Sequence, residues 1–270
     1  MSQQMVILHL NTCGVVAEAW LNGIPVTRVE PNGYLNDVRP VHEYLLPGEN
    51  RVVLLVQPGL NPSEPMATGA PFTPPPGGFA TLQIKQGPRG VFPDDPQVRT
   101  LASVEWRPVD ATPIAPPVML KTSLIISHSW PRWSWLDGSN LTLSGEVTDR
   151  VHTLLKLIIE GMQQGDPSRY LRAAETRFTE LAHAYGLPET ETRGNFMEQY
   201  TRLSAEPGFR IADLNRDKMA LRLCAGGKVI DCLDTSFEPL VRAVPREDGT
   251  TPVRYNMKLA MFGQQMRVIR

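Results

Sequence analysis

Short apolar runs separated by turn residues fill the first half of the chain. Two of them, residues 15–21 and 24–29, flank Asn22-Gly23, a dipeptide suited to a two-residue hairpin turn with positive φ at both positions. The turn Leu46-Pro47-Gly48-Glu49-Asn50 precedes another apolar run at 52–56. The pattern predicts strands at 5–10, 15–21, 24–29, 41–46, 52–57, 79–85, 100–106 and 118–127. Many short strands with turns between them predict an antiparallel β-sandwich.

Proline use changes along the chain and indicates two domains. Of the 25 prolines, 19 lie before Leu143, and segment 58–78 is rich in proline and has no strand or helix period. We interpret it as an ordered surface loop or a flexible arm, in which Pro74-Pro75-Pro76 serves as a rigid connection or as a peptide-recognition ligand. The predicted junction lies between Trp135 and Ser144, which gives a sandwich domain at 1–135 and a second domain at 144–270.

The second half begins with helical periods and ends with strands. Apolar residues at spacings of three and four predict a first helix that ends at Gly165, and Asp166-Pro167 is typical of the start of a second. Gly186 and Pro188 end that helix, and a third is predicted at 192–204. Strands follow at 218–224, 228–233, 240–244, 253–262 and 266–270. We therefore expect an α+β domain with helices packed on one face of a curved antiparallel sheet.

Two resemblances to known families accompany these patterns. The Asn22-Gly23 pair, the 46–50 turn and the 52–56 run resemble galactose-binding-like jelly-roll modules, a scaffold that binds sugars, peptides or other domains. Residues 157–166, the helix after them and the closing segment 263–270 resemble nuclear-transport-factor-like cone domains. A third helix ahead of most of the sheet departs from the cone pattern.

Composition and charge narrow the range of partners. The formal net charge is −1, with 9 basic against 11 acidic residues before Leu143 and 18 against 17 from there on. Without clustered Lys and Arg, neither half is expected to bind nucleic acid. The apolar run 5–10 is too short for a membrane span and follows no basic region, so we expect a cytoplasmic protein, or a periplasmic one if a leader has been removed.

Signatures of metal sites, cofactor sites and activated nucleophiles are absent from the sequence. There is no Gly-X-Ser-X-Gly elbow, phosphate-binding loop or dinucleotide-binding turn, and no two His or Cys have a metal-ligand spacing. We expect no metal and no cofactor. The three cysteines, Cys13, Cys224 and Cys232, are interpreted as buried free thiols. A bridge between the last two would be irregular, because a Gly226-Gly227 turn places Cys224 opposite about Ile230.

Two sets of candidate site residues remain. The cone resemblance implies a carboxylate or histidine acting as acid or base in a cavity, with candidates His183, Asp231, Asp234 and Glu238, each of which could instead be a solvated surface group. Asp166 also qualifies, but its role as a helix cap explains it fully. The second set is aromatic, with an arginine among tryptophans that could stack on a sugar or pack two domains together. It comprises Trp130, Arg132, Trp133 and Trp135.

These observations favour a non-catalytic binding or protein-interaction protein, for example of the bacterial accessory or immunity type. The first alternative is a hydrolase or isomerase that acts on a small molecule in a C-terminal cone pocket. The second is a carbohydrate-binding protein that uses the tryptophans. The fold resemblance supplies no site by itself, so the ligand or partner stays open.

Overall fold

The chain forms two compact units with a mixed α+β architecture. A computed structural model describes residues 4–31, 34–109, 112–128 and 130–270. The N-terminal unit comprises Met1–Leu60 with Glu64–Trp130, and the C-terminal unit comprises Asn61–Ser63 with Pro131–Arg270. The units therefore divide at Trp130, ahead of the interval between Trp135 and Ser144 in which the sequence predicted the junction. The jelly-roll and cone topologies named above stay predictions.

The N-terminal unit consists of two four-stranded antiparallel sheets. Their strand orders are β4-β1-β6-β7 and β3-β2-β5-β8. The strands are β1 (Gln4–Cys13), β2 (Ala17–Leu21), β3 (Ile24–Val29), β4 (Tyr34–Pro40), β5 (Gly48–Val56), β6 (Phe79–Pro88), β7 (Arg99–Trp106) and β8 (Val118–Ile126).

The hairpin predicted at Asn22-Gly23 is confirmed. Asn22 has φ 51° and Gly23 has φ 78°, the conformation that this turn requires. The Asn22 side chain also donates to the Tyr44 carbonyl and to Asn50 Oδ1, both at 2.8 Å, and accepts from the Arg51 amide at 3.0 Å. Asn22 therefore ties the hairpin to the 46–50 turn as well as adopting the required backbone.

One predicted strand is wrong and one observed strand was missed. Residues 41–46 contain a 3₁₀ turn, His42–Tyr44, in place of a strand. There the His42 ring nitrogen Nε2 accepts from the Val6 amide at 2.7 Å. The histidine side chain therefore accepts the hydrogen bond that a carbonyl of a partner strand would otherwise accept.

The missed strand, β4, lies at a sheet edge and ends at Pro40. An edge strand has one side without a partner, so it tolerates a proline and does not require strict alternation of apolar and polar residues.

The C-terminal unit combines four helices with a four-stranded and a two-stranded sheet in its described residues. The larger sheet has the order β14-β13-β10-β9, and β11 pairs with β12. The elements are α1 (Gly145–Gln163), α2 (Ser168–Ala173), α3 (Glu175–Tyr185), α4 (Glu189–Ser204), β9 (Met219–Cys224), β10 (Val229–Asp234), β11 (Val241–Arg242), β12 (Arg254–Tyr255), β13 (Lys258–Phe262) and β14 (Gln265–Val268).

The predicted helices are present with changed boundaries. The second predicted helix is divided at Ala174 into α2 and α3, and the third begins at Glu189, three residues early. The N-cap of α2 is Pro167, one residue later than predicted, and Asp166 precedes it; the Asp166 carboxylate still accepts from the Ser168 amide at 2.9 Å and from the Ser168 hydroxyl at 3.0 Å. The Ser168 amide holds the pKa of Asp166 below its ordinary value.

The helices pack on one face of the larger sheet. Leu221, Ile230 and Leu259, from three neighbouring strands, belong to the same buried cluster as Val151 and Leu155 of α1. Side chains alternate between the two faces of a strand, so the residues next to these three in sequence point to the opposite face. Those neighbours are Arg222, Asp231 and Lys258, which are charged and nevertheless buried.

Candidate functional site

The tryptophans of the predicted sugar platform are buried. Trp133 is 0% exposed and Trp135 is 4% exposed, and both belong to the C-terminal unit, with the Arg270 guanidinium 5.6 Å from the centre of the Trp133 ring. Trp130 belongs to the N-terminal unit and is also buried, with its ring against His42 and His128. A sugar ring must reach an aromatic face to stack on it, so the stacking role predicted for these residues is corrected to a role in packing.

Arg132 is the exposed member of this set. Its guanidinium forms a surface ion pair with Asp137 at 2.8 Å. The hydrogen bond from Arg132 holds the pKa of Asp137 below its ordinary value, and the same bond raises the pKa of Arg132. A surface pair of this kind contributes little to stability and leaves Arg132 in reach of solvent.

Asp231 lies between two buried cations. On the face of the sheet opposite the helices, its carboxylate contacts Arg222 at 2.8 Å and Lys258 at 2.9 Å, and the strand register places both residues directly across from it. Burial alone would raise the pKa of Asp231, but the Lys258 ammonium and the Arg222 guanidinium outweigh burial and lower it. A carboxylate stabilised in its charged form is a poor general acid or base near neutral pH.

The other acid–base candidates occupy ordinary structural positions. Asp234 accepts from the amides of Ser236 and Glu238 at 2.8 and 3.0 Å and pairs with Arg242 at 2.7 Å. Glu238 pairs with Arg254 at 2.6 Å, partly in solvent. His183 is exposed on α3. The three carboxylates of the predicted set are thus engaged by cations or turn amides.

The cysteines are free thiols, as the sequence predicted. Cys224 and Cys232 are buried, whereas Cys13 is only half-buried. Cys224 lies opposite Val229, one residue from the predicted position, and Cys232 lies opposite Leu221. Burial raises the pKa of the Cys232 thiol well above its ordinary value, so this group stays protonated and is not an activated nucleophile.

A cluster of aromatic side chains between the helices and the sheets went unnoticed in the sequence. It comprises Tyr170, Phe178, Phe196, Tyr200 and Tyr255, with ring centres 4.6 to 6.1 Å apart in the contacting pairs. The Tyr200 hydroxyl donates to the Met162 carbonyl at 2.7 Å, and the Tyr170 hydroxyl accepts from Arg177 at 2.5 Å. Helical spacing relates Tyr170 to Phe178 and Phe196 to Tyr200, but no sequence pattern connects these residues with Tyr255, which comes from a distant two-residue strand.

The hydroxyl of Tyr255 is an unusual group in this cluster. It is buried and has no hydrogen-bond partner among the described residues. Burial, with the nearby Tyr170 and Tyr200, raises the pKa of Tyr255, so the hydroxyl stays protonated. A buried hydroxyl without a partner costs free energy, and such a group marks either a structural compromise or a contact that a ligand completes.

Replacing Tyr255 with Phe separates the two roles of this hydroxyl. In the isolated protein we expect the variant to be as stable as the wild type or about 1 kcal/mol more stable, because the change removes an unpaired polar group from the core. Urea unfolding measures the difference. The matched control is Tyr200→Phe, which removes a hydrogen bond to a buried carbonyl and should lower the free energy of unfolding by about 1 kcal/mol. A loss in Tyr255→Phe as large as in the control would contradict the expectation.

A buried polar pair also lies in the N-terminal unit. His9 of β1 is 3% exposed, and neither of its ring nitrogens has a hydrogen-bond partner among the described residues. Lys85 of β6 is 7% exposed, and its ammonium donates to the Pro93 carbonyl at 3.1 Å and to Asp94 Oδ1 at 3.0 Å. No spacing in the sequence connects residues 9 and 85, because their proximity depends on the pairing of β1 with β6.

The described residues contain neither a cluster of metal ligands nor a helix suited to span a membrane. Within the described ranges, no three His, Cys, Asp or Glu side chains come together as ligands for a metal ion. None of the helices in those ranges has both the length and the apolar composition for crossing a membrane. Comparison of the chain with models of known families, with characterised proteins and with solved structures gave no match. Function must therefore be argued from the chain's own residues.

Proposed function

We propose that the protein acts by binding a partner protein through its N-terminal unit and catalyses no reaction of its own. The observation that carries the proposal is the placement of the large apolar side chains that are exposed to solvent. Among the described residues, seven lie in the N-terminal unit and two in the slightly longer C-terminal unit. The seven are Val38, Leu60, Met66, Phe92, Val109, Met119 and Ile125, and the two are Leu143 and Leu157.

The most exposed of these side chains lie where a partner can reach them. Leu60 follows β5, Phe92 lies in the loop between β6 and β7, and Val109 follows β7. Ile125 lies on β8, an edge strand of its sheet. Loops and sheet edges carried by a rigid scaffold are where recognition residues concentrate. Phe92 is the aromatic member of the group, and aromatic anchors contribute a large share of binding energy at protein interfaces.

The arrangement of the predicted acid–base residues also supports binding over catalysis. Asp231 is held between two cations, Asp234 is engaged by turn amides and Arg242, and Glu238 pairs with Arg254. A catalytic carboxylate needs access to substrate and a pKa tuned toward the working pH. The near-neutral charge of the chain favours a partner that is neither strongly basic nor strongly acidic, as in the accessory or immunity type of interaction.

Replacing Phe92 with Ala tests this function. The partner is first captured from host cells on the intact protein, purified and recombined with it, so that a dissociation constant can be measured for a defined complex. We expect Phe92→Ala to weaken the complex by at least tenfold, because a truncated hot-spot residue costs about 2 kcal/mol of binding energy. Its melting temperature should not change, since the ring is 83% exposed.

The control is Leu157→Ala, which truncates an exposed apolar residue of the C-terminal unit. It should leave the dissociation constant unchanged. The proposal fails if no stoichiometric complex can be reconstituted. It also fails if a triple variant with Ala at Phe92, Val109 and Ile125 binds the partner like the wild type while Leu157→Ala weakens the complex.

A second candidate, a small-molecule enzyme or receptor in the C-terminal unit, is favoured by one observation, the unpartnered hydroxyl of Tyr255. Its support would be a small molecule that co-purifies with the wild type and is lost from Tyr255→Phe while Tyr200→Phe retains it. The carbohydrate alternative has no comparable support, because the rings on which it relied are buried.

A further inference from the structure

We infer that His9 and Lys85 form a carboxylate-binding site on the outer face of the sheet β4-β1-β6-β7, and that Asp94 occupies this site from within the protein's own chain. This site is independent of the proposed partner. It is supported by the position of the two residues on the sheet, by the contact that Asp94 makes with Lys85, and by the unused hydrogen-bonding groups of His9.

His9 and Lys85 lie on the same face of neighbouring strands. In the pairing of β1 with β6, His9 lies opposite Gln83, and Ile7 lies opposite Lys85. The two side chains are therefore diagonal neighbours, at a spacing of about 7 Å that lets two long side chains reach one small ligand. They point away from the core, which β1 fills from its other face with Val6, Leu8 and Leu10.

The loop between β6 and β7 contacts Lys85 through the Pro93 carbonyl and the Asp94 side chain. At its base, Val98 packs on Gly87 so closely that a methyl group at Gly87 would collide with it. Towards its tip, the Pro93 carbonyl and the Asp94 carboxylate accept from the Lys85 ammonium. The Asp94 side chain is 82% exposed, whereas the Lys85 side chain that it contacts is 9% exposed.

The difference in exposure between the buried Lys85 and the exposed Asp94 is the main indication of a site. A buried ammonium needs an anion beside it, because desolvation of an unpaired charge is costly. Asp94 provides this anion and lies on a solvent-exposed loop, so another carboxylate can reach the same position from solvent. The hydrogen bond and charge of Lys85, with a smaller effect of His9, hold the pKa of Asp94 below its ordinary value.

His9 supplies the groups that Asp94 leaves unused. An imidazole always carries at least one N–H donor, and the ring of His9 has no hydrogen-bond partner in the described part of the chain. Buried polar groups normally have partners, so an orphaned ring beside a buried cation indicates a missing ligand atom. A free carboxylate has two oxygens, one for the Lys85 ammonium and one for the His9 ring, and unlike Asp94 it is not tethered to the loop.

The test follows the ring signals of the five histidines by NMR during titration with sodium acetate at constant ionic strength. Asp94→Asn removes the internal competitor, and His9→Gln identifies the signal of His9. We expect the His9 signal to move on titration while that of the exposed His183 does not. If Asp94 fills the site about nine-tenths of the time, Asp94→Asn should bind acetate about tenfold more tightly than the wild type.

Two further variants complete the design. Asp95→Asn makes the same charge change one residue away, where the carboxylate accepts from the Gln97 amide, and it should bind acetate like the wild type. Lys85→Met in the Asp94→Asn background keeps the length of the side chain and should abolish binding. Melting temperatures of all variants confirm folding, and the His9 signal can be followed in each.

The sources of the carboxylate are distinguished by a second titration of Asp94→Asn. Trialanine with a free carboxyl terminus is compared with its carboxyl-terminal amide and with acetate. Tighter binding of the free acid than of acetate assigns the site to a peptide terminus, and equal binding assigns it to a small carboxylate. The inference is overturned if Asp94→Asn binds acetate no more tightly than Asp95→Asn, if Lys85→Met retains binding, or if the His9 signal stays fixed.

Discussion

Replacing Asp231 with Asn is expected to lower the free energy of unfolding at neutral pH by about 3 to 5 kcal/mol. The wild-type carboxylate lies between Arg222 and Lys258, and all three side chains are buried. The neutral amide keeps the shape of the side chain but leaves two buried cations without the anion that offsets their repulsion and desolvation. Urea unfolding monitored by circular dichroism measures the loss.

The size of this effect should depend on pH. Because the pKa of Asp231 in the folded protein is below its ordinary value, its charge contributes stability that is fully present above the unfolded pKa of about 4. That contribution is lost as the pH falls through the folded pKa, where the wild-type carboxyl also becomes neutral. The difference in stability between the wild type and Asp231→Asn should therefore be constant from pH 5 to 7 and shrink below about pH 4.

Glu238→Gln is the matched control for Asp231→Asn. It also neutralises a carboxylate of the C-terminal unit, but the Glu238–Arg254 pair lies partly in solvent. A pair of this kind contributes about 1 kcal/mol or less, so the control should stay within that margin at every pH. If Asp231→Asn were no more costly than Glu238→Gln, the buried ion cluster would not be a stabilising element, and Asp231 would again be a candidate for chemistry.

Local signals in the sequence predicted those parts of the fold that short-range physics determines. Asn22-Gly23 specified its turn because few residues accept positive φ, and Asp166-Pro167 marked a helix start because the Asp166 side chain accepts from a free amide of the first turn and Pro167 has a fixed φ. The helix α1 followed from an apolar period that matches one buried face. In each case the deciding interactions lie within about four residues of one another.

Features that depend on strand register could not be predicted. His9 lies diagonal to Lys85, and Asp231 contacts Arg222 and Lys258, only because particular strands are neighbours at a particular offset. In the sequence, Asp231 sits in a run with Ile230, Cys232 and Leu233, where a lone acidic residue looks like either a surface group or a cavity acid. The third possibility, a carboxylate paired with two cations from adjacent strands, requires the pairing to be known.

The burial of the tryptophans could not be predicted from the sequence either. Trp130, Arg132, Trp133 and Trp135 form the densest aromatic group in the chain, and composition alone fits a sugar platform as well as a packed segment. The structure separates the four residues, with Arg132 in solvent and the three rings buried. Burial depends on what the rest of the chain places against a segment, and the segment's own residues do not contain that information.

Replacing Trp133 with Ala is expected to lower the free energy of unfolding by about 3 to 5 kcal/mol, the usual cost of truncating a buried large aromatic side chain. Trp133 is 0% exposed. The next residue's amide donates to Glu180 of α3 at 2.5 Å, and Glu180 also pairs with Arg270, whose guanidinium lies over the Trp133 ring. Loss of the ring would leave a cavity beside a buried ion pair, where water or collapse of the segment would weaken that pair as well.

The contrast with Arg132→Ala makes the measurement decisive for the carbohydrate hypothesis. Arg132 lies one residue away but pairs with Asp137 in solvent, so this variant should unfold like the wild type. If Trp133 has a packing role, Trp133→Ala unfolds at much lower urea concentration, and the wild type is not retained on polysaccharide resins. The opposite result would be a Trp133→Ala variant that is as stable as the wild type, with only the wild type retained on such a resin. That result would require the ring to be accessible to sugar.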